Sequence, residues 1–236
     1  MHGSHDEILT NLAAVRAGIE RACDRAGREP STVTLVAAAK TQPPDPVRWV
    51  LEAGVTAIGH NYVRELREMT AVVPGARWHY IGALQTNTAH HVAALADVVE
   101  TLAGDRATGR LARRAAEAGR VVDALIEVDF TGSRTGTPPV QLGAFAARVA
   151  GLDGLRLRGL MTIPPVGTAP DDARIWFRQL RALRDEIRED LPDVVDLSMG
   201  MSLDYEVAVQ EGATMVRIGT ALFGPRAPAG APHPMP

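Results

Sequence analysis

Short apolar runs alternate with amphipathic stretches along almost the whole chain. The first stretch has helical spacing: Ser4 and Glu7 match a capping box, and Leu12, Val15, Ile19 and Ala22 recur on one face. Gly27 and Pro30 in "GREP" stop it. Eight apolar, β-branched runs follow, at residues 32–40, 55–60, 77–82, 97–102, 121–130, 155–163, 193–200 and 213–220. Helical patterns separate them: 45–54 closed by Gly54, 61–73, Thr88 to Leu95, 105–119, 140–152, and 204–212. The most regular follows the sixth run, with a capping signature at Thr168 and Asp171 and a predicted buried stripe of Trp176, Leu180, Leu183 and Ile187.

A strand buried on both faces reads as a continuous apolar run rather than an alternating one, which is the mark of a parallel sheet covered by helices. Eight strand–helix units in 236 residues predict a single (β/α)8 TIM barrel with an extra N-terminal helix, spanning residues 1–226. A doubly wound open sheet would call for a glycine-rich fingerprint after the first strand, and "AAAKTQPP" is not one. Residues 227–236, "APAGAPHPMP", read as a disordered tail.

Composition narrows the function classes. A net charge of −3 with no basic stripe argues against nucleic acid and anionic membrane as partners. The single Cys23 excludes an intramolecular disulfide, and no His/Cys cluster has zinc spacing, so no metal site is expected, His90–His91 included. The N-terminus lacks an apolar targeting segment and no run reaches membrane-spanning length, which predicts a cytoplasmic protein.

One feature stands outside this background. Of 25 basic residues 24 are arginine, and Lys40 is the single lysine. Drift toward arginine explains the bias wherever only positive charge is needed. Arginine cannot shed its proton at usable pH, whereas lysine can act as an amine nucleophile, so the retained lysine is a candidate for Schiff-base chemistry. At the end of the first predicted strand, it belongs to the face where barrels of this kind build their sites. The runs after strands seven and eight, "SMGMS" and "RIGTALFG", offer Gly200, Ser202, Gly219 and Thr220. Backbone N–H groups and hydroxyls there suit a phosphate, although glycine and serine also simply make turns. An amine with a phosphate cradle fits pyridoxal 5′-phosphate, or a sugar phosphate held by a Schiff-base aldolase. Arg217, inside strand eight, either faces a pyridine nitrogen or pairs with an acidic residue such as Glu206.

The motifs "AAAKTQP", "GHNYVRE", "WHYIGALQTN", "LRGLMTIPP" and "LSMGMSLDYEVAVQEGATMVRIGTALFG" resemble the YggS/PROSC family of pyridoxal phosphate homeostasis proteins, in order and across the chain to Gly224. The resemblance implies the barrel of alanine racemase without its second domain, and pyridoxal 5′-phosphate bound as an internal aldimine on Lys40. It further implies that Ser202, Gly219 and Thr220 hold the phosphate, that Arg217 faces the pyridine nitrogen, and that Asn61 and His79 lie around the ring. Such proteins store and deliver the cofactor, with apo-enzymes that need it as recipients, and are not established catalysts. The chain departs from the family pattern at His60, Thr88 and Thr135, where Glu, Lys and Lys are usual. A small racemase or decarboxylase is the alternative. It would need a second base opposite Lys40, and only Tyr80 ends a strand where one could stand.

Overall fold

The computed structural model describes residues 3–133, 135–165, 167 and 169–225. An N-terminal helix, α1 (His5–Ala26), precedes a strict alternation: β1 (Thr34–Ala38), α2 (Pro44–Glu52), β2 (Ala57–His60), α3 (Val63–Val72), β3 (Arg77–Tyr80) and α4 (Ala89–Leu95). The second half continues with β4 (Val98–Leu102), α5 (Asp105–Glu117), β5 (Val122–Val128), α6 (Pro139–Ala150), β6 (Leu155–Thr162) and α7 (Arg174–Asp190), then β7 (Asp196–Ser198), α8 (Tyr205–Gln210), β8 (Met215–Ile218) and α9 (Thr220–Phe223). All eight strands pair in parallel in chain order, and β8 returns to β1 with Val36 opposite Arg217, which closes the barrel. The predicted (β/α)8 barrel with its extra helix is the observed fold.

Two apolar layers hold it together. The larger lies between the strands and the surrounding helices and includes Ile58, Leu66, Leu111, Ile126, Leu142 and Phe177. Each such side chain, taken fully from water, contributes about 1.5–3 kcal/mol before chain entropy is set against it. The smaller layer plugs the lumen with Val36, Ala57, Val98, Leu125, Met161 and Met215. Below the plug, Asp123 joins Arg77 and Arg156, the latter at 2.6 Å, and closes the N-terminal end of the barrel with charge. Everything above the plug is left for a site.

Helix α1 begins as expected, with Ser4 accepting from the Glu7 N–H and Glu7 accepting from the Ser4 N–H, and its last turn ends on left-handed Gly27. It braces the final strand–helix unit. Asn11 donates to the Leu222 carbonyl at 3.1 Å, and Arg28 donates to the carbonyls of Val209 and Ala213 at 2.6 and 2.8 Å.

The structure revises the sequence reading in two places. Helix α7 starts at Arg174 after a single 3-10 turn (Pro170–Ala173), and its buried residues are Phe177, Leu180 and Ile187, with Leu183 half-buried. Trp176 is half-buried instead, its ring 5.6 Å from that of Phe130. Strand β1 ends at Ala38, so Lys40 is carried by the following turn. Thr168 of the expected cap, and residues 227–236 of the expected tail, lie outside the described residues.

Candidate functional site

Above the apolar plug, at the C-terminal ends of the strands, a cavity of about 470 Å³ opens. It is lined by Lys40 and Gln42 after β1, Asn61 after β2, Ile81 after β3, Ile163 after β6, Met201, Ser202 and Leu203 after β7, Arg217 within β8, and Gly219 and Thr220 beyond it. Six of the seven residues expected around a ligand therefore share one cavity: Lys40, Asn61, Ser202, Arg217, Gly219 and Thr220. The seventh, His79, does not line it; it is enclosed in the lumen with Nδ1 2.6 Å from Glu100 Oε1.

Lys40 is presented by a constrained turn. The next residue, Thr41, has φ 62, a left-handed conformation that costs a β-branched residue energy and needs support. That support comes from α3: the Glu65 carboxylate accepts the Thr41 N–H at 3.2 Å. Burial alone would push the Glu65 carboxyl up, but His60, the Thr41 N–H and Arg64 together hold it below the usual carboxylate range. The charged acceptor is thus the form present at neutral pH. His60, with Nδ1 3.6 Å from Glu65 and its ring 6.0 Å from that of Trp78, serves this outer layer and not the cavity. Thr88 stands at the start of α4 and Thr135 is exposed after β5; neither lines the cavity.

The loops after β7 and β8 are tied into one surface. Ser202 Oγ accepts the Ala221 N–H at 3.0 Å, so a hydroxyl from one loop sits on the backbone of the other. Asp204 Oδ1 accepts the Met201 N–H at 2.7 Å and braces the first loop from inside. Burial raises the Asp204 carboxyl, against the pull of the Met201 N–H and the Arg217 charge. On the opposite wall the chain turns tightly: a Cβ on Gly82 would lie 1.9 Å from the Asn61 carbonyl oxygen, so only glycine lets the β3 loop pass behind Asn61.

Arg217 forms the inner end of the cavity. Its Nη1 donates to Ser198 Oγ at 2.5 Å and its Nη2 to the Thr162 carbonyl at 2.9 Å. It does not pair with Glu206, which meets Arg21 at 3.1 Å and Arg25 at 3.7 Å on the outer surface. Its carboxylate partner is Glu100 on β4, 3.8 Å away. Sequence reading missed Glu100 and Ser198. The signal was present in "DVVETL": an acidic residue inside an otherwise apolar strand is unusual unless it is paired. Tyr80 is no second base, since its side chain belongs to the layer between barrel and helices and its hydroxyl donates to the Ala83 carbonyl at 3.2 Å. Among the described residues no group of three or more His, Cys, Asp or Glu could hold a metal ion, and no helix is long and apolar enough to cross a membrane.

An amine on the turn after β1, in one cavity with the joined loops after β7 and β8, on a closed parallel barrel, defines the class. Residues 10–227 match the family of the alanine racemase N-terminal domain, and the fold follows alanine racemase of Clostridium difficile with a TM-score of 0.76 at 14% identity, covering 95% of this chain but 58% of that one. The chain belongs, within that class, to the pyridoxal phosphate homeostasis proteins. It is 40% identical to the pyridoxal phosphate homeostasis protein of Aquifex aeolicus over 220 residues, covering 91% of this chain and 96% of that protein. It is 37% identical to that of Escherichia coli over 232 residues, covering 94% and 97%. PipY of Synechococcus elongatus, solved with PLP bound, superposes with a TM-score of 0.82 at 32% identity over 92% of this chain and 100% of PipY.

Proposed function

We propose that this protein binds pyridoxal 5′-phosphate reversibly as a Schiff base on Lys40 and passes it on, in homeostasis of the cofactor, without turning over amino acids. The observation that carries this reading is the placement of the chain's single lysine in one cavity with Arg217 and the joined loops of Ser202 and Thr220. The donor set fits the ligand group by group. Lys40 would supply the amine that condenses with the cofactor's aldehyde, water being the leaving product. Ser202, Gly219 and Thr220 offer hydroxyl and backbone donors for the phosphate. Arg217 would offer an N–H to the ring nitrogen, and Asn61, on the cavity wall, would face the ring.

The same geometry supports a carrier over a catalyst. A guanidinium at the ring nitrogen keeps that nitrogen unprotonated and so weakens the ring as an electron sink. Tyr80 points away from the cavity, leaving no partner base for Lys40 among the tyrosines that end strands. The names of the curated relatives and the PLP-bound PipY structure support the same choice of ligand. We take the recipients to be apo-enzymes that depend on the cofactor.

Titration with pyridoxal 5′-phosphate followed by absorption tests the reading. The wild type should develop a visible band, and Lys40→Ala and Lys40→Arg should not. A band retained in both variants would sink it, and steady turnover on a panel of amino acids would favour a small racemase or decarboxylase.

A further inference from the structure

Glu100 lies in the middle of β4 with no exposed surface, a position where an apolar side chain would cost less. It is the meeting point of a chain of contacts that crosses the barrel. Oε1 takes His79 Nδ1 from β3 at 2.6 Å, and Oε2 accepts the Ser198 hydroxyl from β7 at 2.5 Å. Strands β4 and β7 are not neighbours in the ring, so the second bond spans the lumen. Ser198 has one proton, and donating it to Glu100 leaves its oxygen to accept from Arg217 Nη1. Direction is thereby fixed along this part of the line, arginine to serine to carboxylate, and His79 meets the carboxylate from the other side. With His79 carrying its proton on Nδ1, both Glu100 oxygens accept, an arrangement that suits the ionised carboxylate. Among the described residues Arg217 and His79 meet Glu100 directly, the Arg217 charge also reaches Asp204, and Glu127 and Asp129 are further buried carboxylates in and just after the neighbouring β5.

We propose that Glu100 is a positioning residue: it cancels the charge of Arg217 and, through Ser198, aims its guanidinium, so that the inner end of the cavity presents a directed N–H without net positive charge. Such an end suits a neutral aromatic ring nitrogen and is poorly suited to a second anion. This rests on the Schiff-base reading above and deepens it, by assigning the selection of an unprotonated pyridine-type ring to a residue that never touches the ligand.

Two readouts separate this role from mere structural support. The first is the pH at which the colour of the bound chromophore changes. Glu100→Gln keeps the shape and removes the charge; an unbalanced cation nearby disfavours the protonated Schiff base, so the transition should fall by about one pH unit. Ser198→Ala leaves both charges in place and should leave that pH within about 0.3 units. The second readout is ring preference, measured with pyridoxal 5′-phosphate against its carbocyclic analogue, in which the ring nitrogen is CH. The wild type should favour the pyridine ring by about tenfold, the size of one charge-assisted hydrogen bond, and Ser198→Ala should bring the preference within about threefold. Equal uptake of both rings by the wild type overturns the proposal, as does a folded Glu100→Gln with an unshifted transition. If Glu100→Gln does not fold, wild type and Ser198→Ala decide through ring preference. A wild type that gains no visible band with either probe overturns the Schiff-base reading itself, and this proposal with it.

Discussion

Adding one methyl group at Gly82 should damage both the fold and the site, whereas the same change at Gly109 should help. At Gly82 a Cβ would stand 1.9 Å from the Asn61 carbonyl oxygen, 2.7 Å from its carbon and 2.9 Å from its Cα. These are backbone atoms with no rotamer to yield, so the loop behind Asn61 must move by roughly an ångström, and overpacking of this kind costs about 1–3 kcal/mol. The movement is anchored on the far side as well, because Thr101 Oγ1 donates to the Gly82 carbonyl at 2.6 Å. Gly109 sits inside α5, and a Cβ there meets nothing within 4 Å. Alanine at that position should stabilise by about 0.5–1 kcal/mol through helix propensity alone. Urea melts of the two variants beside the wild type give the signs, and absorption titration with pyridoxal 5′-phosphate gives the effect on the site. Gly82→Ala should also weaken uptake, since Asn61 lines the cavity, while Gly109→Ala should leave uptake unchanged. If Gly82→Ala melts and binds like the wild type, the assigned packing behind Asn61 is wrong.

Three further outcomes follow from the same geometry. Burial alone would raise the Glu100 carboxyl, but the His79 hydrogen bond and charge, with Arg217 and Ser198, hold it below the usual range. A folded value below the unfolded one gives stability that is present above the unfolded pKa and lost as pH falls through the folded one. The melting difference between wild type and Glu100→Gln should therefore be full at neutral pH and shrink in acid; a difference constant down to about pH 3 would contradict the assignment. Asp123→Ala, at the opposite end of the barrel, unties Arg77 and Arg156 and should cost about 1–3 kcal/mol in a urea melt without altering the visible band. Cys23 is wholly buried, and burial pushes its thiol up, so native protein should resist a disulfide exchange reagent that modifies it at once in denaturant. Rapid labelling of native protein would count against the packing of α1.

The barrel was legible because strands enclosed on both faces leave uninterrupted apolar runs, and eight such runs admit few architectures. Their lengths were overread: "TVTLVAAAK" stays buried beyond Ala38, but the paired ladder stops there and the left-handed Thr41 turns the chain, so Lys40 reaches the cavity from a loop. Of the expected α7 stripe Leu180 and Ile187 are buried, while Trp176 and Leu183 are half-buried and Phe177 packs inward. Motif order brought out six of the cavity residues. The acid inside "DVVETL" marks Glu100 as paired, but the identity of its partner Ser198 lies in a bond across the lumen between residues 98 positions apart, which no local pattern encodes. His79 is buried in the lumen against Glu100, a contact that its place in an apolar strand does not reveal.

The central claim is tested most directly by borohydride reduction of the protein with pyridoxal 5′-phosphate, followed by peptide mapping. A reducible carbon–nitrogen double bond on the single lysine should yield one stable adduct, in the peptide that contains Lys40, and none in Lys40→Arg. An adduct confined to the N-terminal amine, or no adduct while the ligand is demonstrably bound, would contradict the account.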